Sequence, residues 1–362
     1  MKKIVLVVMV ALATAGCSGP EQRGDPAAAQ AAQQRLATHP TLKTLVEGAK
    51  REGALNLNWG LHARPNSDYL FDAFKQAYGL NDLKITVTPV QNFNANAAKL
   101  LQETKAGAPA SSDALLASSE VMYRTGAGSD ALAAVDWEQI APWAKGAVTS
   151  DRKAVALLTQ FGEFTYHTNL IKPEELPKTP QDLLKLGKPI ASTPFASGFA
   201  QLGGLDKAGI RTYLGQFKPA GLIGCAELNR VASGEFAGLW MSCGKHLADV
   251  FKDTGAPLET TVLSNPTSAS FYYMGLPKNA AHPNAAKLWI TWLVTPEAQK
   301  LLFEHEKADN ARLPGSGTAK QIAEYEAKGI TFTHATYDYV GQNPALYDTA
   351  FKDELVKLLT AR

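Results

Sequence analysis

The sequence predicts an α/β protein of two domains built on mostly parallel sheets, and three observations carry that prediction. Short runs rich in branched and aromatic residues alternate with stretches whose apolar residues recur at helical spacing, the pattern of βα units. The length, 362 residues, favours two domains of ordinary size. With 45% apolar residues the chain can fill substantial cores.

The first residues are a different kind of segment. Lys2 and Lys3 precede an apolar run from Ile4 to Ala13, then Thr14, Ala15, Gly16 and Cys17. About ten apolar residues cannot cross a hydrocarbon core roughly 30 Å thick, so residues 1–16 read as an export signal. Small residues leading into a cysteine resemble the bacterial lipoprotein processing site, which makes Cys17 the expected lipid anchor and new N-terminus. Thr14 departs from that pattern, which usually has Leu there, and Ala13-Thr14-Ala15 also suits an ordinary signal peptidase. The expected location is the periplasm or cell surface. Ser18 to about His39 is mostly Ala, Gln, Gly and Pro, which buries too little surface to offset its ordering entropy. Residues 17–40 are therefore expected to be a flexible tether.

Removing residues 1–16 takes two lysines and no acids from 36 Lys+Arg and 34 Asp+Glu, leaving 34 of each. A neutral chain without basic clusters lacks the footprint of nucleic-acid binding. No later run reaches 18 apolar residues, so no second membrane segment is expected. Besides Cys17 there are Cys225 and Cys243. In an oxidising compartment the simplest expectation is a disulfide between them, contributing roughly 3 kcal/mol; the other reading is two buried thiols.

From Thr41 the elements follow in order. Leu42, Leu45, Val46 and Ala49 mark one helix face ending at Gly53, and Leu55, Leu57 and Trp59 alternate with Asn56 and Asn58 as a strand. Two asparagines fit poorly in a strand buried on both faces. Gly60 to Ser67 turns into a helix carrying Leu70, Phe74, Ala77 and Tyr78; Ile85 and Val87 mark a strand, and Asn94 to Thr104 a helix. Ala114 to Ala117 reads as a further strand pattern. The middle third continues with strands at Phe164 to Tyr166, Pro189 to Ser192 and Phe236 to Met241, and helices from Phe199 and over Ala226 to Ser233. Phe271 to Leu276 is a strand. Ala285, Leu288, Trp289, Trp292 and Leu293 follow the spacing of a buried helix face, and Thr295 and Pro296 suit the cap and first turn of the next helix.

Catalytic motifs are missing: no His-Glu-x-x-His, no Gly-x-Ser-x-Gly elbow and no P-loop, while Gly126-Ala127-Gly128 reads as a helix end. Polar residues gather instead in loops expected after strands, where ligands sit in open α/β sheets. These are Trp59, His62 and Arg64 after the first strand, and Ser118, Ser119 and Glu120 after the Ala114 to Ala117 pattern, where Ser and Glu also suit a helix cap. Ser197 and Gly198 fall at a helix start whose amides could receive an anion. Trp240, Ser242 and Lys245 follow a middle strand, with core packing the competing reading for Trp240.

Several phrases resemble a known family. Thr44 to Gly53 (TLVEGAKREG), Ser111 to Trp137, Phe164 to Pro180 (FTYHTNLIKPEELPKTP) and His282 to Gln299 (HPNAAKLWITWLVTPEAQ) are similar to solute-binding proteins of ABC importers. The match is to the type 2 periplasmic-binding fold, in the branch that includes ferric-ion, thiamine and aminoethylphosphonate binders. The resemblance implies two lobes joined by two crossover strands, near Val155 to Gly162 and Val262 to Ser270, with a ligand cleft that closes about a hinge. It places residues 41–160 and 270–362 in lobe 1 and 161–269 in lobe 2. It implies a monomer partnered by a small-molecule solute and an inner-membrane ABC permease, held near that membrane by the lipid anchor, with no cofactor and no catalysis.

In the ferric-ion binders the resemblance makes His62 a metal ligand and Ser197 and Gly198 an anion site. Those proteins also use two adjacent tyrosines where this chain has Trp240, Met241, Ser242 and Cys243, and an indole and a thioether do not replace phenolates on a ferric ion. Tyr272 and Tyr273 are adjacent but one strand later, in a phrase that is strand core in the family. The leading expectation is a small organic anion on Ser197, Gly198, Ser118 and Arg64, with Trp59 or Trp240 against its remainder. The alternatives are a ferric-ion carrier, a sensor for a membrane signalling partner, and an enzyme using His62 or Cys243.

Overall fold

The computed structural model describes residues 26–60, 68–90, 92–161, 163–200, 202, 205–242, 244–263 and 265–361. Eleven strands are described in these segments: β1 Ala54–Trp59, β2 Lys84–Pro89, β3 Leu115–Ser118, β4 Ala154–Phe161, β5 Phe164–His167, β6 Ile190–Ser192, β7 Gly221–Leu222, β8 Gly238–Trp240, β9 Leu258–Thr261, β10 Thr267–Gly275 and β11 Phe332–Ala335.

The expected helix–strand alternation of the first third is present, and local chemistry sets its boundaries. The helix Pro40–Glu52 stops at Gly53, whose φ of 68° is the left-handed conformation glycine adopts without a Cβ penalty, and whose N–H donates to Ala49 O. The strand β1 then pairs in parallel with β2. Of its two asparagines, Asn58 is buried and bonded through its side chain, while Asn56 is half-buried and bonded through its backbone. Asn58 Nδ2 donates to Asn96 Oδ1 at 2.8 Å, Asn58 N donates to Ser112 Oγ, and Asn56 N donates to the buried Asp113 carboxylate at 2.7 Å. The same carboxylate accepts from His282 N at 2.9 Å and lies 2.8 Å from His282 Nδ1. Asp113 thus ties β1 to the entry of the helix Pro283–Leu293. Glu52 secures that helix further, accepting from the backbone of Asn284 and Ala285. The helix buries Leu288, Trp289 and Trp292 against Trp59, Phe71 and Phe74, with Trp59 and Trp289 edge to face at 5.7 Å.

The two crossover strands are β4 and β10, paired antiparallel from Ala269–Phe161 to Gly275–Ala154. On its other edge β10 runs antiparallel to β3 and parallel to β11. Beyond the crossover, five strands pair in the order β7-β6-β8-β5-β9. The sheets are therefore mixed rather than mostly parallel. β6 is parallel to β7 and β8, whereas β5 is antiparallel to β8 and β9. The reason is topological: β4 runs almost directly into β5 and β10 brings the chain back, so neither arrives through the helical return that keeps neighbours parallel.

Two expected boundaries differ from the observed ones. The segment read as a tether contains the helix Pro26–Thr38, which buries Ala32 completely and joins Arg35 to Glu297 by a two-point ion pair at 2.8 and 3.2 Å. A segment of mostly small and polar residues carries too little apolar surface to signal a helix that docks through Ala32, Leu36 and Arg35. The C-terminal helix Thr349–Thr360 sends Phe351, Leu355 and Leu359 into the core with Phe164, Ile190 and Tyr213, and Arg211 binds Glu354. The assignment of residues 270–362 to the first lobe does not extend to this helix. Periodicity shows that a helix has a buried face, not which of two cores it covers.

Candidate ligand cleft

The central strands are buried along almost their whole length. In β3, β4 and β10 the half-open positions are Ser118, Gln160, Ser270 and Tyr272. The register places Ser118 opposite Tyr272 and Gln160 opposite Ser270. Opposed residues of an antiparallel pair share a face, as do residues two apart on one strand. The four residues therefore form a polar strip of three hydroxyls and one amide crossing three strands on a single face. Phe93, at the start of the helix that follows β2, sets its ring edge-on to Tyr272 at 5.5 Å. Burial pushes the Tyr272 phenol up to about 12, so it stays a neutral hydroxyl donor at physiological pH.

The second lobe meets this strip through the loop after β8. Met241 has φ 52° and Gly244 φ 105°, two left-handed residues in four, a strained turn of the kind that collects at binding sites. At Gly244 a Cβ would fall 2.6 Å from His246 Nδ1, so glycine is what lets the imidazole fold back beside the turn. His246 Nε2 lies 3.1 Å from Gln160 Nε2, a bridge between the loop helix Lys245–Asp253 and the crossover strand. Burial pushes His246 down to about 4, so the ring is neutral and accepts the amide hydrogen of Gln160. Lys307 reaches Asp253 on the same helix at 3.4 Å.

Between β4 and β5 sits Glu163, with no exposed surface. Burial pushes its carboxyl up to about 8, against the opposing influence of the Lys245 charge and backbone N–H. Tyr325, from the helix Gly317–Glu326, donates to Glu163 Oε1 at 3.4 Å, and Ser242 N donates to Glu163 O at 2.8 Å.

The residues singled out in the sequence divide into three groups. His62, Arg64, Cys17 and Cys243 lie outside the described residues. Trp59, Trp240 and Ser119 are packing residues. Trp59 is 1% exposed in the aromatic core of the first lobe, and Trp240 is fully buried with Phe164, Phe199 and Tyr213. Each sits on the last turn of a strand with its large side chain directed into the layer beneath, so neither offers a stacking surface. Ser119 is buried and donates to Ala335 O and Phe271 O, pinning β11 and β10. Ser118 is open on the polar strip and makes no capping bond to its helix. Ser242 is buried beside Glu163. Ser197 and Gly198 lie in the short helix Ala196–Phe199, where the Gly198 N–H already donates to Phe195 O.

Gln160, Glu163, His246 and Ser270 are not singled out by the sequence, which reads Tyr272 as strand core. The signal that finds three of these five is alternation. Gln160 interrupts an otherwise apolar strand, and Ser268, Ser270 and Tyr272 recur at period two against Ala269, Phe271 and Tyr273.

Comparison with solved structures bears on the fold. No family model and no curated protein matches the chain. Solved structures do. The substrate-binding protein of an ABC transporter from Agrobacterium tumefaciens superposes with a TM-score of 0.67 at 15% identity, over 84% of this chain and 92% of that one. AfuA from Actinobacillus pleuropneumoniae, a periplasmic binding protein with fructose-6-phosphate bound, gives 0.62 at 16% identity over 84% and 96%. Iron-bound HitA from Pseudomonas aeruginosa gives 0.59 at 16% identity over 72% and 87%. The chain has the two-lobed fold of ABC-transporter substrate-binding proteins, spanning nearly their full length.

Proposed function

We propose that this chain is the solute-binding component of an ABC importer. It would capture a small organic solute carrying an anionic group between its lobes and present the closed form to a membrane permease. The observation that carries the reading is the strip of Ser118, Gln160, Ser270 and Tyr272, facing the Gly244–His246 turn across the crossover strands. A few polar groups placed by rigid strands, in a fold that closes by hinge motion, are what selective capture needs.

The organic anion is favoured over a ferric ion by the chemistry of the donors. The strip supplies neutral hydroxyls and an amide and no carboxylate. Tyr272 and Tyr273 are both held as neutral phenols, pushed up to about 12 by burial, whereas a ferric ion asks for hard anionic oxygens. Glu120, the nearest carboxylate along the chain after β3, is neutralised by Arg124 and Lys352. Arg64 and the amides of Ser197 and Gly198 belong to the proposed anion contacts, and His62 to the proposed ligand set; Arg64 and His62 lie outside the described residues. Export with lipidation at Cys17, a second lobe of 161–269 onto which the C-terminal helix Thr349–Thr360 packs, and a Cys225–Cys243 disulfide belong to the same proposal.

Native mass spectrometry with elemental analysis, on protein purified without refolding, tests it. A retained organic acid or phosphate ester without metal is the expected result. Stoichiometric iron would overturn the solute class. Intact mass from membrane and soluble fractions reads the modification of Cys17, and thiol counting under denaturing, non-reducing conditions that finds Cys225 and Cys243 free would remove the disulfide.

A further inference from the structure

Of the ten buried side-chain atoms without a hydrogen-bond partner among the described residues, five belong to the second lobe: Glu163 Oε2, Thr165 Oγ1, Tyr213 Oη, Trp240 Nε1 and Ser242 Oγ. Native proteins leave few such atoms, and each calls for an occupant or a function. Two of the five residues are joined directly, since Ser242 N donates to Glu163 O at 2.8 Å. They lie where the first crossover enters the second lobe, and Tyr325 from the other side of the junction touches the second carboxyl oxygen. A carboxyl oxygen and a hydroxyl, both buried and unpaired, on two residues whose backbones are bonded to each other, are the polar groups this junction leaves for a ligand.

We infer that Glu163 in its acid form and the Ser242 hydroxyl donate hydrogen bonds to an oxyanion of the solute, making Glu163 a specificity-determining residue of the cleft. This rests on the organic-anion reading above and deepens it. A neutral carboxylic acid can donate to an anion at short range, while an ionised one would repel it. The surroundings keep the acid form available. Burial, aided by the Asp249 charge, raises the carboxyl to about 8 and outweighs the Lys245 charge, the Lys245 backbone N–H and the Tyr325 hydroxyl from Gly317–Glu326, which favour the ionised form. Lys245 is held 2.5 Å from both oxygens of Asp249, so much of its charge is met on its own helix. Tyr325 is a neutral phenol, raised well above its ordinary value by burial and by Glu163. The oxyanion would replace the missing partner of Glu163 Oε2 and keep the proton on the acid, so binding takes up a proton wherever free Glu163 is ionised. No bond other than hydrogen bonds forms or breaks.

The sign follows from linkage. Solute affinity is highest below the Glu163 pKa and falls as pH rises through it, by about tenfold between pH 7 and pH 9. The probe is sulfate, whose charge is constant from pH 6 to 9, titrated calorimetrically into the full chain at matched ionic strength. The wild type is expected to show the tenfold decline, and E163Q, whose amide donates but does not titrate, a flat profile. S242A should weaken sulfate at both pH values. No sulfate binding at any pH, or the same decline in E163Q, would overturn the inference. Carbon-13 NMR of labelled glutamate side chains covers the case in which E163Q does not fold. One carboxyl should titrate above pH 7 and move higher with sulfate, and its absence would be equally fatal. An organic anion found by mass spectrometry together with a flat wild-type profile would leave the importer reading standing and remove Glu163 from it.

Discussion

Tyr272 and Tyr273 are adjacent in sequence, yet their hydroxyls are placed for different tasks, and removing each one separates binding from folding. Tyr273 is 1% exposed, and its oxygen accepts from the buried Tyr337 N–H at 3.0 Å. Tyr272 is half-buried on the polar strip, and its hydroxyl makes no hydrogen bond among the described residues. Tyr273→Phe leaves a buried amide without an acceptor, which costs about 1–3 kcal/mol and lowers the melting temperature by several degrees. Tyr272→Phe removes no intramolecular bond and keeps the ring against Phe93, so stability should change by less than about 0.5 kcal/mol. Its effect falls on the solute. A hydrogen bond to a charged group contributes about 1.5–3 kcal/mol, so affinity should drop roughly 10- to 150-fold. Isothermal titration with the solute identified by mass spectrometry, beside calorimetric melting of both variants, is the assay. Equal losses of affinity in the two variants, or an unchanged affinity in Tyr272→Phe, would refute the strip as the binding surface.

Three further outcomes are expected. Asp113→Ala should destabilise the protein by about 3–5 kcal/mol, since it strips an acceptor from Asn56 N and His282 N and opens a buried gap, read as a lower urea midpoint. His246 is held neutral in the fold, pushed down from 6.5 to about 4, so it contributes stability that is present above pH 6.5 and lost as pH falls toward 4. In full this amounts to roughly 3 kcal/mol, and His246→Gln should flatten that acid limb of the melting-temperature profile. Arg35→Ala breaks the part-buried two-point pair with Glu297, and limited proteolysis should then cut within Pro26–Thr38 well before the wild type is cut there.

The fold was legible where the pattern is local. Glycine at 53 stops a helix because only a left-handed cap fits there, and Thr295 with Pro296 starts one because its oxygen accepts from Ala298 N. Such signals depend on neighbours within one turn. The cleft was less legible because its residues come from separate segments, Ser118 meeting Tyr272 and Gln160 meeting Ser270 across more than a hundred positions. Trp59 and Trp240 stand at strand ends as the ligand rule requires, but the direction of their side chains is set by the layer they pack on. Tyr272 reads as core until its register against Ser118 shows that its face is open. The helix Pro26–Thr38 escaped notice because one arginine, finding a glutamate 262 positions away, does much of its docking.

By itself the sequence determined the class of fold, the order of its elements and the resemblance to ABC-importer binding proteins. Hydrophobic period, caps and family phrases are properties of contiguous residues. Tertiary structure decided which polar groups share a face, through the antiparallel register of β10 with β3 and β4. It also decided the protonation of Glu163 and His246, because burial that no single segment encodes determines whether an acid keeps its proton and an imidazole loses one.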